Sequence, residues 1–160
     1  MDNEHLKKEI KSLCETQRFA VLATMDHDQP LTSLVAFVTT EDLTRIFFAT
    51  DQNTKKYANI QANEHVSLLI DNRENYPSDI NDAVTVTAIG RATAFPKKDN
   101  KPFLLFLAKH PNLQDFIADP NTVLLQVHIE EYHYVRQFQR KTVLIMPPSR
   151  HVQRRQTNDH

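Results

Sequence analysis

The residues of this 160-residue chain best suited to chemistry are the adjacent cations Lys55 and Lys56. They follow Asp51, Gln52, Asn53 and Thr54, a run of turn and cap formers. They open a segment, 55–62, in which Tyr57 and Ile60 recur three apart, as on one face of a helix. Both lysines therefore fall in a first helical turn. Free N–H groups and the macrodipole make that end mildly positive, so acidic residues are the stabilising choice there. A bound phosphate would resolve the conflict by accepting the free N–H groups, the Thr54 hydroxyl and the two ammonium groups together. The competing reading is two solvated lysines that tolerate a cost on the order of a few tenths of a kcal/mol. On the residues alone both readings stand.

Other chemistries find less support. Eight histidines invite a metal, yet no HExxH or CxxC pattern occurs. His128 and His133 are five apart, which in an extended chain predicts opposite faces. No metal site is expected. A GxSxG elbow is absent, and the single glycine, Gly90, leaves no way to write a P-loop or a GxGxxG turn. Any phosphate must be bound by another architecture. The lone Cys14 is spaced with Leu6, Ile10 and Leu13 as a packing residue, and it suits a reducing compartment. A net charge of −1 provides no global attraction for nucleic acid or an anionic membrane. Tyr132, Tyr134, Arg136, Phe138 and Arg140 interleave aromatic and basic residues, but their period suits a barrel strand better. With no signal peptide and no apolar run near 18 residues, a soluble, cytoplasmic protein is expected, without membrane or nucleic-acid partners.

The elements that must position the lysines alternate between two periods. Residues 45–50, around Phe47 and Phe48, read as a strand leading into the lysine helix, and Val66, Leu68 and Ile70 resume the two-residue period after it. Before them come an amphipathic helix within residues 1–18 and strands over 19–25 and 31–39, separated by a polar turn. Residues 72–82 read as a loop and 83–94 as a long strand in which Gly90 marks a bulge. Asp99 or Asn100 can cap a helix with Phe103, Phe106 and Leu107 as its apolar face; Leu113, Phe116 and Ile117 give a further turn or two. Strands at 122–129, 132–139 and 142–146 complete the set. The chain therefore predicts one mainly β domain over 1–146, an antiparallel six- to seven-stranded barrel with peripheral helices, followed by a flexible tail at 147–160.

Three stretches in this order, FAVLATMDHDQPLTSLVAF, IFFATDQNTKKYANIQANEHVSLLID and VTVTAIGRATAF, resemble the pyridoxamine 5′-phosphate oxidase-like, FMN-binding split β-barrel family. LLQVHIEEYHYVRQF is similar to a bacterial and archaeal subgroup. The resemblance implies a homodimer with one FMN in each of two clefts between protomers. It places Ser33, Leu34, Val35 and Ala36 along the isoalloxazine ring, with Phe48, Ala49 and Thr50 as backbone and hydroxyl contacts. It assigns Lys55 and Lys56 to the phosphate, beside Thr54. Thr85 matches a position that presents glutamine to the flavin in the oxidases. The oxidases' Arg-x-His substrate motif is replaced by Arg136, Gln137 and Phe138, which speaks against pyridoxamine phosphate as substrate. The implied function is a flavin-dependent oxidoreductase of unassigned substrate. The alternative is a module of the same fold that holds flavin or haem without turnover, with His128 or His133 as axial ligand.

Overall fold

A computed structural model describes residues 1–98, 100–138 and 140–148. The expected tail lies, from residue 149 on, outside the described residues. Helix α1, Asn3–Thr16, is capped by Asp2, which accepts from the His5 N–H at 2.8 Å, and it buries Leu6, Ile10, Leu13 and Cys14. Strands β1, Phe19–Asp26, and β2, Gln29–Thr39, form a tight hairpin turning at His27 (φ 56°). Strand β3, Arg45–Asp51, follows, then α2, Lys55–Ala62, and β4, His65–Asp71. A helical turn, α3, Asp79–Asp82, leads to β5, Val84–Phe95. Helices α4, Lys101–Lys109, and α5, Gln114–Ala118, precede β6, Thr122–Arg136, and β7, Arg140–Ile145. Asn100 caps α4 by accepting from the Phe103 N–H. Among the described residues no helix is long and apolar enough to cross a membrane.

The strands pair antiparallel in the order β3-β2-β1-β4-β5-β6-β7, and β3 also pairs with β6. That extra pairing closes a six-stranded barrel and leaves β7 as an appended strand. Strand β6 serves two partners along one edge: residues 122–128 pair with β3, and residues 131–136 with β7. Inward-facing Leu22, Phe37, Phe48, Leu68, Val86, Val127, Tyr132 and Tyr134 are almost fully buried and fill the barrel. Each such side chain contributes about 1.5–3 kcal/mol of hydrophobic stabilisation. A second cluster, Val38, Phe47, Phe106, Ile117 and Leu124, lies between the outer side of β2, β3 and β6 and the α4–α5 pair. The alternation along β3 therefore feeds two cores at once, Phe48 inward and Phe47 outward.

Three sequence expectations change. Residues 122–136 form one strand rather than two, because a bulge absorbs the irregularity instead of a turn: Ile89 pairs with Glu131 and Gly90 with Ile129, so Glu130 is the extra residue. The bulge also reverses side-chain parity. Ile129 and Tyr132 both point inward, so His128 and His133 lie on the same outer face, contrary to their spacing. Five residues of strand still separate them by about 16 Å, too far to share a metal. The segment 72–82 is not a plain loop, since Asp79 accepts from the Glu74 and Asn75 N–H groups and supports α3.

Lys109 and His110, at the end of α4, fasten that helix to the barrel. Lys109 donates to the Cys14 carbonyl at 2.8 Å and lies 3.9 Å above the Phe37 ring; burial draws its pKa down to about 8. The neighbouring Cys14 thiol is pushed by burial up to about 11, as befits a packing residue. His110 Nε2 donates to the Phe37 carbonyl at 2.7 Å, and burial lowers the ring's pKa from 6.5 although this hydrogen bond acts in the opposite sense. The fold thus favours neutral His110. Its contribution to stability is complete above the unfolded-state value of about 6.5 and is lost as pH falls through the lower folded-state value. Thermal melts from pH 8 to pH 5 should show a fall in Tm that is shallower in His110→Gln. Parallel pH profiles for the two proteins would assign the loss to other groups.

Candidate functional site

A cleft of about 350 Å³ opens on the outer side of the barrel, where β2, the end of β3, the start of α2 and the α4–α5 pair meet. Its lining is of two chemical kinds. Thr50, Asp51, Thr54 and Lys56 supply the polar part. Thr54 caps α2: its hydroxyl accepts from the Tyr57 N–H at 3.3 Å, donates to the Asp51 carbonyl at 2.8 Å and lies 2.9 Å from the Thr50 hydroxyl. No acidic residue occupies the first turn of α2, and the N–H groups there have no intrahelical partners. The Lys56 side chain makes no hydrogen bond or ion pair with any described residue. An ammonium group without a partner among the described residues thus lines the cleft together with a helix N-terminus and hydroxyl groups, and that combination attracts an anion.

The rest of the lining is mainly apolar. Leu34 and Ala36 come from β2, Phe19 from β1, and Phe106, Leu113 and Phe116 from the helical pair. Phe19, Leu34 and Phe116 are 55%, 67% and 39% exposed, unusually high for three large apolar residues around one depression. Cross-links hold the walls in place. Gln52 donates to Asn121 through both its backbone N–H and its side-chain amide, and Lys97 donates to the carbonyls of Ile117 and Asp119 at the end of α5.

Of the residues named from sequence, the cleft brings together Leu34, Val35, Ala36, Ala49, Thr50, Thr54 and Lys56. Ser33 pairs with Leu22 in the sheet, and the Phe48 side chain is fully buried in the barrel core; neither lines the cleft. Lys55 is not among the lining residues and forms an ion pair with Asp26, 2.9 Å from Nζ to Oδ2. This contact, followed by that of His27, holds the Asp26 carboxyl below its usual range. Thr85 lies on β5 opposite Asp71 and Val135, separated from β2 by β1 and β4. Sequence reasoning missed Phe19, Asp51, Phe106, Leu113 and Phe116 as cleft residues. The signal available was an excess of aromatic residues: Phe103, Phe106 and Phe116 are more than two short helices need to cover one face. Neither His128 nor His133 lines the cleft, and among the described lining residues none is a His, Cys, Met or Tyr.

Comparison with known proteins agrees with this architecture. A sequence model described as Pyridoxamine 5'-phosphate oxidase matches residues 6–136. A Schizosaccharomyces pombe protein described as a pyridoxamine 5'-phosphate oxidase homolog is 32% identical, covering 72% of this chain and 74% of its own. Among solved structures, a heme binding protein from Mycobacterium smegmatis superposes with a TM-score of 0.75 at 14% identity, covering 87% of this chain and 57% of its own. A FAD-binding protein from Mesorhizobium loti superposes with a TM-score of 0.59 at 19% identity, covering 78% and 90%. At these identities the two structures show a shared fold alone. Through the matched segment and the fission-yeast relative, this chain belongs to the pyridoxamine 5'-phosphate oxidase family.

Proposed function

We propose that the protein binds FMN in this cleft as a homodimer and works as a flavin-dependent oxidoreductase. The carrying observation is the mixed lining of the cleft, which combines an ammonium group unpaired among the described residues and a helix N-terminus with exposed apolar side chains. FMN has the same polarity, a phosphate joined by a polar chain to a flat, largely apolar ring. Lys56, Thr54 and the first turn of α2 would take the phosphate, Thr50 and Ala49 the polar chain, and the stretch from Leu34 to Ala36 the ring. Bound flavin would supply the capacity to take up and pass on electrons, and the protein would supply position and electrostatics. Asp51 and Lys56 are the only charged side chains lining the cleft among the described residues, so proton transfer here rests on few groups.

The second copy is supported by the outer face of the sheet. The register sets Leu34, Val21, Leu69, Thr87, His133 and Val143 in one row across six strands, with Ile89 and Ile145 in the next. Leu34, Val143 and Ile145 are exposed and the others half-buried, so the face carries apolar side chains near both of its edges with Thr87 and the His133–Glu131 pair between them. Because Leu34 belongs to both this face and the cleft, a two-fold partner seated here would also wall the cleft. Such a partner is the route by which Thr85, remote from the cleft within one chain, would reach a flavin.

The fold shared with a heme binding protein makes haem the competing ligand. Against it stands the absence of an imidazole, thiolate or thioether among the described lining residues. The Arg136, Gln137 and Phe138 stretch, whose last two residues turn β6 into β7, keeps pyridoxamine phosphate out of the proposal as substrate. The visible spectrum of the purified protein, FMN and riboflavin titrations and light scattering test the reading together. A dimer that binds FMN more tightly than riboflavin is expected. A Soret band without flavin, or a monomer, would overturn it.

A further inference from the structure

The two cations at the start of α2 have different surroundings. Lys56 faces the cleft without a partner among the described residues. Lys55, about 100° around the helix, holds Asp26 at the end of the β1–β2 hairpin, where the other carboxylate oxygen lies 3.1 Å from His27 Nδ1. We propose that Asp26 competes with the ligand's phosphate for Lys55 and so sets how tightly the cleft holds a phosphorylated flavin. This rests on the FMN reading above.

The Lys55 side chain is 64% exposed, and among the described residues the Asp26 carboxylate is the one ionic partner of its ammonium group. A flexible four-carbon stem lets that group swing toward a neighbouring anion. An exposed pair of this kind biases an equilibrium by roughly two- to fivefold. A phosphate, with more charge than a carboxylate and with Lys56 and the helix N–H groups already on it, would win the exchange. Asp26 then lowers affinity by its hold on Lys55 in the empty protein and by its charge beside the filled site. The hairpin is tied to α2 when the cleft is empty and released when it is filled.

The test is titration of FMN and of riboflavin into the wild type, Asp26→Asn, Asp26→Ser, Lys55→Ala and the Asp26→Asn/Lys55→Ala double variant, each checked by thermal melting. Both Asp26 variants should bind FMN roughly two- to fivefold more tightly than the wild type, with riboflavin unchanged. In the Lys55→Ala background most of the gain should vanish. Unchanged or weaker FMN binding in the Asp26 variants overturns the competition and makes the pair a structural tie. Persistence of the full gain without Lys55 overturns it as well. If the wild type itself does not prefer FMN to riboflavin, the phosphate reading fails first and the competition with it.

Discussion

Lys56→Ala is expected to weaken FMN binding by roughly ten- to a hundredfold while leaving riboflavin binding as it was. Lys56 supplies the cleft's ammonium that has no partner among the described residues, so its removal would delete a charge-assisted contact to the phosphate worth on the order of 1.5–3 kcal/mol. Riboflavin lacks the phosphate and cannot sense the loss. The empty protein should melt at the same temperature or slightly higher, since a cation leaves the positive end of α2. Lys55→Ala should cost less, because its ammonium already has Asp26. Paired flavin titrations and apo-protein melts check all of this. FMN affinity that survives the change at Lys56 would place the phosphate elsewhere, and a collapsed melt would make Lys56 a structural residue.

Gly90→Ala should destabilise the fold by about 3 kcal/mol or more, the upper range for an overpacked interior. A Cβ at this position would meet the His128 carbonyl oxygen at 2.1 Å, its carbon at 2.9 Å and Val127 Cγ1 at 3.1 Å. The first two are backbone atoms of the neighbouring strand and cannot rotate aside. The backbone of Gly90 is not in the left-handed region, so the requirement is for space alone. Urea unfolding of the variant against the wild type measures the effect. A loss below about 1 kcal/mol would mean that the ladder can shift its register at the bulge and make room.

The lysine helix was legible in the sequence because its signals are local: the Thr54 cap, the Tyr57 and Ile60 spacing and the misplaced cations all lie within a few residues. Gly90 was legible for a similar reason, since a lone glycine in a threonine-rich strand has few explanations. The separate fates of Lys55 and Lys56 were not, because they depend on Asp26, which only the closing of the β1–β2 hairpin brings within reach. Nor was the parity of His128 and His133 legible. An extra residue in a strand is invisible until its partner strand fixes the register. The apolar lining of the cleft drew on α4 and α5, whose phenylalanines looked like ordinary core residues. Phe106 is one, buried in the second cluster, yet it also reaches the cleft.

The double pairing of β6 also bears on the order in which this chain can fold. Strand β3 joins β2 early through a local hairpin, but its other edge must wait until β4, β5 and four helices have been laid down and Thr122 arrives. Contacts so far apart in the chain carry a large loop-closure cost, which favours slow closure of the barrel after faster formation of the β1–β2–β3 meander. During that interval the open edge of β3 presents unpaired backbone groups beside Phe47 and Phe48, a template for pairing with other chains. Strand β6 ends that exposure on arrival, and chaperone dependence during synthesis should track the delay before it does.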